Sequence, residues 1–164
     1  MTKEKLRVVF DCMIFLQAVM SEKSVAFKLF DYLDGDVFML FVSRETLAEI
    51  IDVLFRPDIR EMNLQITDEY VRAFLERVLL KAILIKSVPQ KFSYPRDPKD
   101  EKYINLAVEA KAAFLVSRDN DLLDLMTGFD DETKEFRQRF RPLKIIEPIE
   151  FLKIIAEKNL SFES

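Results

Sequence analysis

The chain contains no histidine, only two glycines and a single cysteine, Cys12. The absence of histidine excludes catalytic Ser-His and Cys-His pairs and histidine-ligated zinc sites. Two glycines cannot form a phosphate-binding glycine loop or a dinucleotide fingerprint. One cysteine excludes an intramolecular disulfide and fits a reducing compartment, for which the cytosol is the default. Any chemistry must therefore come from carboxylates, hydroxyls, lysine and arginine.

The size and charge of the chain point to one acidic globular domain. Its 164 residues are 49% hydrophobic, with 25 basic and 29 acidic residues and a net charge of -4. This balance argues against non-specific coating of nucleic acid. Residues 3–20 look at first like a signal peptide, but Asp11 divides the apolar run, so we expect a core strand there. No other stretch approaches the about 18 apolar residues of a membrane helix. We predict a single domain over residues 1–164, in the cytoplasm.

Short apolar runs alternate with helical patterns along the chain. The predicted strands are Leu6–Phe10 and residues 37–42, 82–85, 113–117 and 143–146. Helices are predicted over residues 24–33, 44–55, 67–80, 97–111, 122–126 and 148–157, starting at capping residues or prolines. Residues 127–142 fit either a loop or an extra helix. This alternation predicts a parallel sheet covered on both faces, which is a three-layer α/β/α sandwich.

Acidic residues follow the predicted strands at the places where α/β sheets bind ligands. Asp11 follows the first strand and Asp119 the fourth, while Glu49 and Glu101 lie in early turns of helices. If these four carboxylates converge, their mutual repulsion needs a cation as compensation. Oxygen ligands without histidine or thiolate select Mg²⁺ or Mn²⁺. Phosphoryl transfer is the reaction that such a centre supports.

Each acid taken alone also fits a structural role, because acids at helix starts are common caps. Asp97, which precedes Pro98, is interpreted as a plain cap. Asp11 is harder to explain as a cap, since a charge within an apolar run needs a partner.

Four segments of the chain resemble the PIN domain family, and within it the toxins of bacterial toxin–antitoxin pairs. These segments, in order, are VVFDCMIFLQAV, FVSRETLAEIIDVLFRP, RDPKDEKYINLAVEAKAAFLVSRDNDLLDL and IIEPIEFLKII. The resemblance implies a five-stranded parallel sheet of order 3-2-1-4-5, in which the first and fourth strands are neighbours. It also implies a ribonuclease that depends on a divalent metal, an antitoxin protein as partner, and a homodimer.

The resemblance assigns roles to individual residues. It implies that Asp11, Glu49, Glu101 and Asp119 are the catalytic and metal-binding acids, with Glu101 standing where the family usually has Asp. The resemblance places supporting polar residues around these acids at Asp100, Ser117 and Asp121. The chain departs from the family at one motif, because it has Asp11-Cys12-Met13 where the family has Asp-Thr-Asn.

Two other functions remain open at this stage. Met13 favours a PIN fold with weakened catalysis that binds RNA or protein, since methionine supplies no hydrogen-bond donor and no hard ligand. A phosphoacceptor domain with Asp11 as the acceptor is less favoured, because Met13 stands where aspartate-based phosphatases have a second acid. For RNA contacts, position and charge suggest Arg118, Arg96 and the basic residues of 134–141, among them Arg137.

Overall fold

The computed structural model describes residues 4–163, with side chains described for residues 4–159. Its strands form one parallel sheet of order β3-β2-β1-β4-β5. Their bounds are Leu6–Phe10 (β1), Phe38–Ser43 (β2), Ile83–Ile85 (β3), Phe114–Val116 (β4) and Lys144–Ile146 (β5). The central strand β1 pairs with β2 on one side and with β4 on the other. This order confirms the predicted PIN-type sheet.

Helices connect the strands and cover both faces of the sheet. They are α1 (Cys12–Met20), α2 (Val25–Asp34), α3 (Arg44–Leu54), α4 (Pro57–Met62), α5 (Asp68–Leu79), α6 (Glu101–Glu109), α7 (Asn120–Thr127), α8 (Asp131–Arg139) and α9 (Pro148–Glu163). A 3-10 turn, Pro98–Asp100, precedes α6. Within residues 4–163, no helix has both the length and the apolar character needed to cross a membrane.

The capping residues that the sequence indicates begin their helices as expected. The hydroxyl of Ser24 accepts from the N–H of Phe27 at 3.1 Å, and that of Thr67 caps α5 in the same way. Ser43 and Thr46 exchange bonds between their side chains and backbone N–H groups at the start of α3. These bonds satisfy backbone donors that the first helical turn leaves unpaired.

The sheet separates two apolar cores, because successive residues of a strand point to opposite faces. Val8 and Phe10 face one core, and Val9 faces the other. On the first face, Phe151 of α9 packs its ring against Phe10 at 6.0 Å and against Phe38 at 5.2 Å between ring centroids. Helices α6, α7 and α8 supply much of the second core. Both faces of the sheet are therefore buried, as the three-layer prediction requires.

Three features differ from the sequence prediction or complete it. Helix α1 follows Asp11 at once, although the sequence indicates no helix there, and α4 is also additional. Residues 127–142, for which the sequence fits either a loop or an extra helix, contain α8. The predicted helix 97–111 is divided into the 3-10 turn and α6. The side chains of Asp97 and Asp100 therefore point in directions that differ from those in one continuous α-helix. The predicted domain limits, residues 1 and 164, lie outside the described part of the chain.

Candidate metal centre

The carboxyl ends of β1 and β4 meet at the middle of the sheet, where the strand order reverses. Asp11 follows β1, and its N–H donates to the carbonyl of Val116 at the end of β4 at 3.2 Å. Asp11 also caps α1, since its Oδ1 accepts from the N–H of Ile14 at 3.3 Å. The first acid of the chain therefore lies in the crevice that parallel sheets use for ligands.

Ser117 connects the acids that follow the two strands. Its hydroxyl donates to Oδ2 of Asp11 and accepts from the N–H of Asp119 at 2.9 Å. Asp119 in turn caps α7, because its Oδ1 accepts from the N–H of Asp121 at 2.8 Å. Ser117 is fully buried. Ser117 and Asp121 thus hold Asp11 and Asp119 in fixed positions.

Asp97, Asp100 and Asp119 form a compact cluster of carboxylates. One oxygen from each lies within 4.8 Å of the other two. Asp97 and Asp100 come together because the 3-10 turn between them is tight. The side chain of Asp97 makes no capping hydrogen bond to that turn. The interpretation of Asp97 as a plain cap is therefore wrong, because its carboxylate faces the cluster.

Asp100 is the member of the cluster that most needs a cation. Only 8% of the residue is exposed, and its Oδ2 is buried without a hydrogen-bond partner in the described part of the chain. Burial, followed by repulsion from Asp119 and Asp97, raises the pKa of Asp100 to about 9. A buried carboxylate oxygen without a donor is costly unless it is protonated or bound to a metal.

Asp11 shares the electrostatic environment of this cluster. Burial raises the pKa of Asp11 to about 6, although hydrogen bonds from Ser117 and from the N–H of Ile14 act in the opposite direction. The charge of Asp119 raises the pKa further. A divalent cation at the cluster would lower the pKa of both Asp11 and Asp100, because opposite charge favours the ionised form.

Glu49 interacts with Cys12, the residue after Asp11, and already has donors from the protein. The hydroxyl of Tyr103 donates to its Oε1 at 2.6 Å, and Nζ of Lys102 lies 2.9 Å from its Oε2. Burial alone would raise the pKa of Glu49, but these hydrogen bonds outweigh it and the pKa is lowered. Burial, then the charges of Glu49 and Asp11, raises the pKa of the Cys12 thiol to about 12. Cys12 is therefore a neutral thiol that interacts with both of these acids.

Glu101 is directed away from the acids with which it was predicted to bind metal. Its Oε1 accepts from the N–H of Tyr94 at 2.8 Å and from the hydroxyl of Ser93 at 3.3 Å, and its Oε2 accepts from Gln90 at 3.2 Å. Successive residues at a helix start point in directions about 100° apart. Asp100, at the end of the 3-10 turn, therefore reaches the cluster, whereas Glu101 lies against the loop before it.

The donors of the cluster are all carboxylate oxygens, which are the ligands of hard divalent cations. Asp97, Asp100 and Asp119, with Asp11 next to them, could hold such an ion. The unpartnered oxygen of Asp100 and the absence of a lysine or arginine paired with these three acids, within the described residues, both fit this use.

Comparison with known proteins agrees with this arrangement. The family model for the PIN domain matches residues 7–121, a range that contains β1, β4 and all the acids described above. The chain belongs to the PIN domain family. It is also similar to an uncharacterized protein of Methanocaldococcus jannaschii, with 27% identity over 153 residues, which cover 93% of this chain and 94% of that protein.

Two of the three arginines predicted to contact RNA are held by other groups of the protein. The guanidinium of Arg96 bonds to Asp121, at 2.7 Å, and to Asp124. Arg137 donates to two backbone carbonyls at the end of α7, at 2.9 and 2.6 Å. Arg118 is exposed and has no ion pair or hydrogen bond within the described residues, and it directly precedes Asp119. Arg118 is therefore the best placed of the three for a phosphate contact.

Sequence reasoning did not identify Asp97, Lys102 and Tyr103 as part of this site. The Asp97-x-x-Asp100 spacing was a usable signal, since one 3-10 turn brings such residues to the same side. Tyr103 gave a weaker sequence signal, because a buried tyrosine hydroxyl usually has a polar hydrogen-bond partner. The position of Lys102 depends on the tertiary contact between α3 and α6, which no local pattern shows.

Proposed function

We propose that this PIN domain is a divalent-metal-dependent ribonuclease that hydrolyses phosphodiester bonds of RNA. Asp97, Asp100 and Asp119 would hold Mg²⁺ or Mn²⁺, with Asp11 beside them. The observation that carries the proposal is the buried Oδ2 of Asp100, which has no donor within the described residues and belongs to a cluster with the carboxylates of Asp97 and Asp119. A hard divalent cation satisfies this oxygen and offsets the repulsion in one step.

The protein's contribution is to hold the carboxylates in a fixed arrangement. When bound, the ion would lower the pKa of water and offset the negative charge that develops on the phosphate. Ser117 fixes Asp11 and Asp119 through one buried hydroxyl. In this proposal Asp100 takes the ligand role that the resemblance implied for Glu101, and Glu49 lies outside the cluster of three aspartates. Arg118 would contact the RNA backbone.

The structure disfavours phosphorylation of Asp11. The residue is 3% exposed, and its two carboxylate oxygens accept from Ile14 and Ser117. A phosphodonor would have to displace both bonds to reach a carboxylate that is almost fully buried. The weakened PIN module stays the second candidate, since the side chain of Met13 is 44% exposed and brings no polar group to the rim.

A cleavage assay separates the two candidates. Single-stranded RNAs of mixed sequence are incubated with Mn²⁺, Mg²⁺ or a chelator, with single-stranded DNA as a parallel substrate. We expect RNA cleavage that needs metal and is lost in Asp119→Asn. Asp58→Asn, which changes an exposed carboxylate at the start of α4, is the control and should cleave normally. Cleavage in chelator, or equal cleavage by Asp119→Asn, would refute the mechanism, and RNA binding without cleavage would favour the second candidate.

Three further parts of the proposed function rest on the family resemblance. We propose that the chain is a cytoplasmic toxin, that an antitoxin protein covers the acidic site, and that two copies form a homodimer. Induced expression in bacteria should arrest growth if the first part holds, and Asp119→Asn should relieve the arrest. Sedimentation of the purified chain tests the dimer.

A further inference from the structure

A groove lies where the chain segments that follow β4 and β5 meet helix α1 and the start of α2. It encloses about 470 Å³, which is within the roughly 300–1,000 Å³ range of protein pockets for small ligands. Most of its wall is apolar, with contributions from Leu16, Met20, Val25 and Ile149. A flat, uncharged ring system is the kind of group that such a wall can cover.

Three polar side chains line the same groove and have unused hydrogen-bonding groups. Within residues 4–159, the side chains of Arg118, Gln17 and Glu147 make no ion pair and no hydrogen bond. Arg118 and Glu147 carry opposite charges but do not pair with each other. The hydroxyl of Ser24, by contrast, already donates to the carbonyl of Ser21 at 2.7 Å. The groove therefore offers a cation, an anion and an amide to one ligand.

The groove and the aspartate cluster are connected by the segment that follows β4. Arg118 lines the groove, whereas Asp119, the next residue, belongs to the cluster. Asp119 has an extended backbone, in which successive side chains point to opposite sides. The N–H of Ser117 donates to the carbonyl of Ile146 at 3.0 Å, so Glu147 follows beside the same segment. A strand of RNA that crosses the end of β4 would therefore meet the acids on one side and the groove on the other.

We propose that the groove binds an unpaired guanine base of the RNA, next to the phosphodiester bond that is cleaved. This inference rests on the proposed function, because it takes RNA as the substrate. The guanidinium of Arg118 contacts a phosphate of the same strand. The Watson–Crick edge of guanine presents two adjacent N–H donors, which match the two oxygens of Glu147. Adenine, cytosine and uracil present each donor beside an acceptor, which a carboxylate oxygen repels.

Fluorescence anisotropy on A-rich single-stranded RNAs that differ at one central base tests this preference, in chelator so that no RNA is cleaved. The central base is guanine, adenine, hypoxanthine, which lacks the amino group of guanine, or 7-deazaguanine, which keeps both donors. We expect the wild type to bind the RNAs with guanine and 7-deazaguanine about tenfold more tightly than the other two. Glu147→Gln should lose this preference, because its amide nitrogen is not an acceptor. Glu150→Gln removes an exposed carboxylate of α9 and should keep it.

Mapping of the cleavage sites in Mn²⁺ separates this inference from the proposed function. The wild type should cut an end-labelled RNA mainly next to its single guanine, and Glu147→Gln should not. Equal binding of the four RNAs by the wild type, or a preference that Glu147→Gln retains, would overturn the inference while metal-dependent cleavage stands. Preference for guanine without cleavage in any metal would overturn the proposed function and still support guanine binding in the groove.

The same samples test a second copy of the chain as the occupant of the groove. A change in the sedimentation of Glu147→Gln, with no change in RNA binding, would assign the groove to a contact between two copies and overturn the inference. The comparison of four RNAs on the wild type needs no variant, so the decision does not depend on how Glu147→Gln folds.

Discussion

Replacing Asp100 with asparagine should stabilise the metal-free protein near neutral pH and remove its response to metal. The pKa of Asp100 is raised from 3.8 to about 9, first by burial and then by the charges of Asp119 and Asp97. Between these values the folded state binds more protons than the unfolded chain. The stabilising effect of the protonated group is thus complete below pH 3.8 and is lost as the pH rises towards 9.

The size of the effect follows from the linkage between protonation and folding. One group that is protonated in the folded state and ionised in the unfolded state changes the free energy of unfolding by about 1.4 kcal/mol per pH unit. From pH 5 to pH 7 the wild type should therefore lose up to about 3 kcal/mol through Asp100. Asp100→Asn lacks this loss, so its stability relative to the wild type should rise by that amount over the same range.

Urea unfolding in the presence of a chelator, at pH 5 and pH 7, measures this difference. Asp58→Asn serves as the control, since it changes an exposed carboxylate outside the cluster and should leave the pH dependence unchanged. Saturating Mn²⁺ gives the second test. At about 100 times its dissociation constant the ion should stabilise the wild type by about 2.7 kcal/mol and have little effect on Asp100→Asn. Parallel pH profiles for the wild type and Asp100→Asn would refute the reasoning.

Three further predictions concern RNA binding and packing. Arg118→Ala should weaken RNA binding and lower the salt slope of log K by roughly 0.7, measured by fluorescence anisotropy, whereas Arg72→Ala on exposed α5 should not. Phe151→Ala should cost about 3–5 kcal/mol in urea unfolding, because the ring is fully buried among other rings; a loss below 1 kcal/mol would contradict this packing. Gly128→Ala should cost about 1–3 kcal/mol, since the added Cβ would lie 2.7 Å from Oγ1 of Thr133, and unchanged thermal stability would contradict it.

The sheet could be predicted from the sequence because its strands are short apolar runs, and the central ones, β1 and β2, are largely buried on both faces. Leu6–Phe10 was predicted with the same bounds that the structure shows, and the other strands differ by one residue at one or both ends. Helix α1 was missed because its residues are apolar on nearly every side, so that no helical period stands out. Its start is set by the capping bond of Asp11, which the sequence suggested only as one alternative for this residue.

The location of the candidate site could be predicted, but its ligands could not be fixed to the residue. Strand order and acid positions were enough to bring Asp11 and Asp119 to one crevice. The choice between Asp100 and Glu101 depends on a single 3-10 turn, because that turn decides which carboxylate faces the crevice. Local pattern does not distinguish a 3-10 turn from the first turn of an α-helix when a proline begins either one.

The motif in which this chain departs from its family affects the rim of the site more than its centre. The backbone N–H of Ile14 donates to the carboxylate of Asp11, and any residue other than proline at that position would supply it. Met13 is 44% exposed, whereas Cys12 packs against the apolar cores and interacts with both Glu49 and Asp11. The donors that fix Asp11 therefore come from the backbone of α1 and from Ser117, and the asparagine that the family usually has is not needed for them. If the proposed function holds, the missing asparagine removes a polar group from the rim of the site, and we expect this to affect how RNA is oriented rather than how a metal ion is held.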